Sequence, residues 1–513
     1  MSARTVNTAM VTTVVCIALA SVVAAMSSLN VALPDVARDT HASQTQLSWI
    51  IDAYSLVFAA LLLPAGAIGD RYGRRRALLI GLAIFGAGSA VAMTASSAAE
   101  LIALRGVLGL GAALVMPATL STITSTFAPA QRTKAVGTWA GVAGGSAVLG
   151  LLTSGALLEQ WSWQSVFGLN VVLAGLAVIG TIRYVPESAD NSAPRLDLRG
   201  ALLAVAGLVA LVYSVIEAPE AGWLAPPTLA GIAGGLAILA GFVWWELHCP
   251  HPMLDPRIFA HRGLTAGSLS IFVQFFAFFG FTFCLLQYLQ GVRGYSPLVA
   301  AVSVLPLAAG MMPTARLAPV LVARVGARTV CVGGLLVMAG GLAVLAQLDV
   351  SSSYWLQVAG LIPLGIGMGA AMTPATAAIT QALPIQQQGV ASAMNDLSRE
   401  VGGALGIAVI GSLLTAGYRD NLNLPGVPAD LADKARDSFA VAVHAGGPVA
   451  TQAHSAFVDG MHVGLLAAAG AALAAAVTVG LLLRRPEPAG ATAADQSAAA
   501  EPSVVVGGPV PSR

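Results

Sequence analysis

Fourteen mostly apolar stretches recur along the chain, separated by polar interruptions. They fall at about 9–33, 46–69, 77–96, 99–121, 135–158, 165–184, 198–216, 228–246, 264–290, 298–323, 327–347, 354–382, 389–416 and 461–483. The apolar residues run on rather than alternate, which predicts helices and not barrel strands. About 20 helical residues cross ~30 Å of hydrocarbon, so each stretch is long enough to span a bilayer. The predicted fold is all-α and polytopic, with 14 transmembrane helices. The first stretch is longer than the apolar core of a cleaved leader, and its "LNVALP" is not a small-residue cleavage site. It is predicted to stay as the first span.

A weak internal repeat divides the pattern. "GAIGDRYGRRRALLIG" (66–81) aligns without gaps to "PVLVARVGARTVCVGG" (319–334), pairing Arg71 with Arg324, Gly73 with Gly326 and Gly81 with Gly334. The two stretches follow the second and the tenth span. Two six-helix bundles with two additional helices between them produce this, and parallel repeats of six suit alternating access. The expected division is 1–197 for the first bundle, 198–263 for the seventh and eighth helices and 264–483 for the second bundle. An external loop is expected at 417–460, where Leu431, Ala435, Phe439 and Val443 share one helical face. Residues 484–513, rich in Ala, Pro and Gly, read as a disordered cytoplasmic tail.

Composition strengthens this reading. Of 513 residues 57% are hydrophobic and 10% charged, more apolar surface than a soluble chain can hide. A net charge of +1 leaves no electrostatic footprint for nucleic acid. The basic residues are unevenly placed. With a cytoplasmic N-terminus, 17 fall in inside segments, 5 in outside segments and 3 within helices. That excess puts both termini in the cytoplasm. Cys16, Cys249, Cys284 and Cys331 lack metal or redox spacing, and His444 and His454 lack ligand spacing. No GxxxxGKS loop is present. No metal, no cofactor and no enzymatic nucleophile with its base are expected.

Charges inside spans are costly, about 2.5–3.5 kcal/mol each on an insertion scale, so they are functional candidates. Asp52 and Arg105 each lie six residues from the external end of their helix, roughly 9 Å deep at 1.5 Å per residue. Equal depth makes them partners, directly or through water, with Asp52 taking a proton and Arg105 reporting its charge state. In the thirteenth span Asp396, Arg399 and Glu400 share a face at i, i+3 and i+4. Glu400 is roughly 16 Å deep, near the midplane where substrate sites lie in such folds. Arg399 neutralises one acid and leaves the other for a proton or a cation. Arg316 sits close enough to the inner end of the tenth span to snorkel. In the ninth span Phe272, Phe275, Phe276 and Phe279 recur at helical spacing. They read as lipid-facing packing or, at Phe275 and Phe279, as an aromatic wall for hydrophobic cargo.

The loop "GDRYGRRRALLIG" (69–81) carries more than anchoring needs. Gly69 and Gly73 permit close approach or a tight turn. Asp70 can cap a helix or pair with Arg71, Arg74 or Arg75. The expectation is a latch that holds the two bundles together in one state and releases them in the other. In the fifth span Gly137, Gly141 and Gly145 allow tight packing at four-residue spacing.

This loop resembles the signature between helices 2 and 3 of the major facilitator superfamily. "LNVALP" (29–34), "WIIDAYSL" (49–56), "LIALRGVLGLGAA" (101–113), "LLEQWSWQSVF" (157–167), "VRGYSP" (292–297) and "LSREVGGALGIAVIGS" (397–412) are similar, in order, to its fourteen-helix drug:proton antiporters. The antiseptic and quaternary-ammonium exporters share the pattern. Arg105 stands where that branch has its helix 4 arginine. There are departures. Ala25 and Met311 stand where relatives place cavity acids, and "GLLTSG" keeps Gly150 and Gly155 but has Leu151 for a proline. The resemblance implies proton-driven efflux of small hydrophobic molecules from the bacterial inner membrane. With those two acids missing, neutral or monovalent cargo is expected, and the unit is expected to be a monomer. Rival readings are an exporter of one endogenous metabolite and a non-transporting membrane sensor.

Overall fold

The computed structural model of the protein describes residues 7–127, 129–189, 197–250, 252, 254–383 and 388–483. The expected tail at 484–513 lies outside them. The helices are α1 (Thr8–Thr40), α2 (Gln44–Tyr72), α3 (Arg74–Ala92), α4 (Ala98–Thr126), α5 (Pro129–Leu158) and α6 (Ser165–Tyr184). Then come α7 (Leu198–Ala221), α8 (Pro226–His248), α9 (Arg262–Gln287), α10 (Pro297–Ser303), α11 (Leu305–Val325) and α12 (Ala327–Leu345). The last are α13 (Tyr354–Gln381), α14 (Gln388–Asn421), α15 (Ala429–Asp437), α16 (Phe439–Ala445) and α17 (Gly447–Leu482). Among the described residues 14 helical segments are long and apolar enough to cross a membrane, with α10 and α11 together forming the tenth. That tenth span breaks at Val304 because Pro306 has no N–H for the carbonyl four residues back.

The ends are set by local chemistry. Ser43 accepts from the backbone of Gln46 while the Gln46 side chain accepts from the backbone N–H of Ser43, a reciprocal cap that fixes where α2 begins. Ser97 caps α4 and Ser296 caps α10 in the simpler one-sided way. Gly73 ends α2 and begins α3 at φ 121°, a conformation that a side chain resists. Gly326 does the same between α11 and α12 at φ 84°, so the repeat aligns two glycines of equal duty.

Helices α1 to α6 pack on one another, as do α9 to α14 with α17. Helix α7 lies against both sets, on α2 and on α14. Its Val215 carbonyl accepts from Ser412 at 2.6 Å, and its Glu217 accepts from Trp49 Nε1 at 2.8 Å. The face that carries Arg71, Arg74, Arg75 and Arg76 is called here the basic face and the opposite one the far face.

The far-face loop is shorter than 417–460. Helix α14 runs on to Asn421 and α17 starts at Gly447. The early turns of α17 are polar by composition, yet Val449, Ala453, Ala456 and Phe457 form a buried stripe at helical spacing. Between the two helices the single expected surface helix is two, α15 and α16, which meet at Ser438. Phe439 stacks on Phe457 at 4.3 Å, and Tyr418 Oη donates to the Ala435 carbonyl at 2.7 Å. These contacts hold the pair down over the bundle ends.

Candidate functional site

The far half of the molecule is where the two bundles meet. Gln44 Nε2 donates to Gln287 Oε1 at 3.0 Å, and Gln290 Nε2 donates to the Val31 carbonyl at 2.8 Å. The backbone N–H of Leu298 donates to Glu159 at 3.3 Å. Gly155 lets α5 approach α10, since a Cβ there would stand 2.9 Å from Leu298 Cα. At mid-depth Leu56, Ala59 and Ala60 of α2 share a cluster with Ala408 of α14. Within the first bundle, between the basic-face ends of α1, α4 and α5, lies an open groove of about 740 Å³, lined among others by Thr8, Thr12, Thr13, Cys16 and Thr138.

Asp52 is fully buried, and neither carboxylate oxygen has a hydrogen-bond partner among the described residues. Arg105, 1% exposed, does not bridge to it. Its Nε donates to the Ile50 carbonyl at 2.8 Å, Nη1 to the Ala25 carbonyl at 3.4 Å and Nη2 to the Ile51 carbonyl at 3.5 Å. Its guanidinium lies 4.3 Å from the Tyr54 ring centroid, and Tyr54 Oη donates to the Val22 carbonyl at 3.0 Å. Of the two expected arrangements the direct pair is not formed, and Arg105 serves instead as a clamp on carbonyls beside Asp52. The planar fork reaches carbonyls of both α1 and α2, which a carboxylate on one helix could not offer. Sequence depth placed the two side chains at one level but could not show which acceptors surround Arg105.

Ala25 is buried at 1% exposure, so it lines no open cavity here, and its contribution is the carbonyl under Arg105. Met311 is half-buried, with its backbone against Gly369 of α13. Gly150 meets the Ala24 carbonyl, where a Cβ would stand at 2.8 Å, so α1 and α5 touch there. Gly141 and Gly145 are a correction. Nothing lies within 4 Å of a Cβ built on either, so they are exposed rather than packed. The expected role of Gly137 lies outside the described side chains.

On α14 the three charges separate. Arg399 lies 3.9 Å from Asp396 and 4.7 Å from the centroid of Phe275. Glu400 is 3% exposed, and its Oε2 has no hydrogen-bond partner among the described residues. Glu400 is therefore the less engaged of the two acids. The phenylalanine row lies along the contact between α9 and α14, with Phe275 buried and Phe272, Phe276 and Phe279 half-buried. Phe272 and Phe276 lie with their backbones over Gly402 and Gly406, and Phe279 sits 2.8 Å from a Cβ built on Gly403. Small residues on α14 let α9 come close, and that contact brings Phe275 under Arg399. Arg316 is exposed on α11.

The loop at 69–81 is tied, but within its own bundle. Asp70 pairs with Arg74 at 2.8 Å. Arg75 Nη2 donates to the Ile182 carbonyl at 2.8 Å, the backbone N–H of Arg74 donates to Ser188, and Arg76 lies 3.7 Å from Glu187. Arg71 lies over Tyr72 at 5.9 Å. In this conformation Asp70, Arg74 and Arg75 make no described bond to the second bundle, and their bonds run along α2 and α3 or to the end of α6. Gly69 lets α2 pass Ala77, at 3.3 Å from a built Cβ. Among the described residues no His, Cys, Asp and Glu group is placed to hold a metal ion.

Two bundles closed over buried charges, with 14 membrane-length helices among the described residues, have the architecture of a multi-pass membrane transporter. Residues 15–407 match the model of the Major Facilitator Superfamily, and the chain belongs to that family. It is 37% identical over 469 residues to the multidrug efflux pump LfrA of Mycolicibacterium smegmatis, covering 89% of this chain and 92% of that protein. It is 36% identical to the methyl viologen resistance protein SmvA of Salmonella typhimurium, again covering 89% and 92%. A solved bacterial homolog of the human lysosomal transporter Spinster shares the fold, with TM-score 0.66 at 17% identity over 94% of this chain and 99% of that one. The comparisons place the chain among multidrug-resistance exporters, the branch its motifs resemble.

Proposed function

We propose that the protein exports lipophilic molecules across the bacterial cell membrane in exchange for protons, with the basic face in the cytoplasm. The observation that carries this is a pair of buried acids on either side of one seam, Asp52 with neither oxygen bonded and Glu400 with Oε2 unbonded among the described residues. A buried carboxylate without a partner is costly as an ion, so its surroundings or its proton must change during a cycle. Arg105 holds α1 to α2 around Asp52 and lets the seam respond as one unit. Arg399 restrains Asp396 and stacks on Phe275, while Glu400 is left to meet a cationic cargo or a proton.

Support comes also from where the bundles are bonded. The named hydrogen bonds between bundles lie at the far side, as expected in a half-cycle that loads cargo from the cytoplasm. The names of the relatives speak of multidrug efflux and of methyl viologen resistance, which fits a lipophile or an organic cation here. Neutral or monovalent cargo is the reading we favour, because Asp396 is already engaged. The proton gradient is the proposed energy source, with no cofactor. The test uses everted membrane vesicles, a panel of fluorescent dyes and an imposed proton gradient. Asp52→Asn is expected to abolish proton-driven dye accumulation. Accumulation that ignores the gradient in the unmodified protein would remove the antiport reading. A single metabolite transported in preference to every dye would favour the dedicated exporter.

A further inference from the structure

The far face holds a second, smaller cavity of about 190 Å³, tucked under α16 and lined in part by Asp35, Gln44, Gln287, Gln290, Tyr295 and His444. At about 30 Å³ per water it has room for several. Asp35 is paired with Arg38 at its rim. From this cavity a polar stripe runs inward along α2. Gln44, Ser48 and Asp52 follow one another at four-residue steps, so their side chains stack on one face. They are 2%, 2% and 0% exposed. Ser48 Oγ donates to the Gln44 carbonyl at 3.3 Å, and its lone pairs stay open to a donor. Across the seam stands Gly411 of α14, where a Cβ would lie 3.0 Å from Ser48 Oγ. The stripe ends at the two unpartnered oxygens of Asp52. The charged and titratable neighbours there are Arg105 of α4, which is bound to carbonyls, and Tyr54, which donates to Val22.

We propose that this far-face cavity is where the proton enters, and that Gln44 and Gln287 form the gate between it and Asp52. The proposal rests on the reading of Asp52 as the proton acceptor. While the two amides are bonded at 3.0 Å they belong to both bundles and shut the seam. An amide is a poor proton relay, whereas a hydroxyl can accept one proton and release another. When the bundles part at this face, water from the cavity reaches Ser48. A hydronium gives up a proton and becomes water. Ser48 turns its hydroxyl from the Gln44 carbonyl toward Asp52, passes its own proton to an Asp52 oxygen and takes the one from the hydronium. The carboxylate becomes a carboxylic acid, and Ser48 ends as it began. Gly411 keeps the space beside Ser48 clear for that water.

The experiment separates net proton coupling from cargo movement. Ethidium uptake into everted vesicles is driven by a proton gradient in one arm. In the other arm ethidium counterflow is followed at equal pH on both sides, where no net proton transfer is needed. Ser48→Ala is expected to slow the driven arm roughly tenfold, less than the hundredfold typical of a positioned acid or base because water can stand in for the hydroxyl. Gly411→Val, which fills the gap, is expected to slow it at least as much. Both are expected to keep counterflow within about twofold, and Ser48→Thr to restore the driven arm. Ser48→Ala and Gly411→Val both running the driven arm at the wild-type rate would overturn the proposal. So would equal loss in both arms, which assigns these residues to structure. Unmodified protein whose driven arm ignores the gradient overturns the Asp52 reading beneath, and this proposal with it.

Discussion

Replacing Arg105 by lysine keeps the charge and removes the fork. The structure says what is lost. The guanidinium donates to Ile50 at 2.8 Å, and its other two bonds, at 3.4 and 3.5 Å, are long. Its plane lies 4.3 Å from the Tyr54 centroid. A hydrogen bond from a charged group is worth about 1.5–3 kcal/mol, and a desolvated cation–π contact about 2 kcal/mol. Lysine can keep one carbonyl bond, but it cannot reach α1 and α2 together while stacking on Tyr54. The expected cost is about 2–3 kcal/mol, the ring contact plus the weak bonds. If the clamp exists in only one conformation, that cost shifts the balance between conformations about 30- to 150-fold. Two assays read it: the fraction of detergent-solubilised protein that stays monodisperse after heating, and proton-driven dye uptake at matched protein level. Arg105→Lys equal to wild type in both would refute the clamp and return Arg105 to the role of a bare positive charge near Asp52.

Four further outcomes follow from the same geometry. Glu400→Gln should impair proton-driven transport more than Asp396→Asn does, because Asp396 already has Arg399; equal dye uptake by the two variants would contradict this ordering. Gly109→Ala should destabilise by about 1–3 kcal/mol, since its Cβ would stand 2.5 Å from the Tyr54 carbonyl, while Gly145→Ala, with nothing within 4 Å, should heat-denature like wild type. Gly73→Leu must hold φ 121° with a side chain pressed on Glu187, 2.6 Å from a built Cβ, and about 1–3 kcal/mol of strain is expected to lower transport at equal membrane level. A matched monocation should outpace a dication such as methyl viologen at a fixed proton gradient, and the reverse would show that Asp396 is free for cargo after all.

The helices were legible because bilayer thickness sets one length scale that any long apolar run must meet. Their ends were less so. Polar residues 447–460 read as loop by composition, yet the buried stripe through Val449, Ala453 and Phe457 keeps them helical. Among the site residues, spacing along one helix was readable: Asp396, Arg399 and Glu400 do share a face of α14. Pairing across helices was not, because a side chain chooses among every acceptor at its depth. Arg105 found three carbonyls where its depth suggested one carboxylate. Glycines showed the same limit. Gly150 and Gly141 look alike in sequence, and only the neighbouring helix decides that one is a contact and the other an open surface. The amide seam had no sequence signal at all, since Gln44 and Gln287 are 243 residues apart.

That seam bears on how the molecule moves. An exporter must pass between two states, so neither can be held too firmly. Charge pairs at the basic face, such as Asp70 with Arg74 or Arg76 with Glu187, are partly exposed, and each is worth about 0–1 kcal/mol. The three named hydrogen bonds between bundles at the far face each contribute about 1 kcal/mol net. Together they bias this conformation by about 3 kcal/mol, short of the 5.5 kcal/mol that a full reversal from 1:99 to 99:1 demands. A bias of that size lies within reach of one protonation and one cargo molecule acting together. Two of the three bonds join amides and carbonyls and only the exposed one, from Leu298 to Glu159, involves an ion, so the strength of the seam should change little with salt. Its opening is then left to the acids beneath it, Asp52 and Glu400, which are the groups whose charge the proton gradient can change.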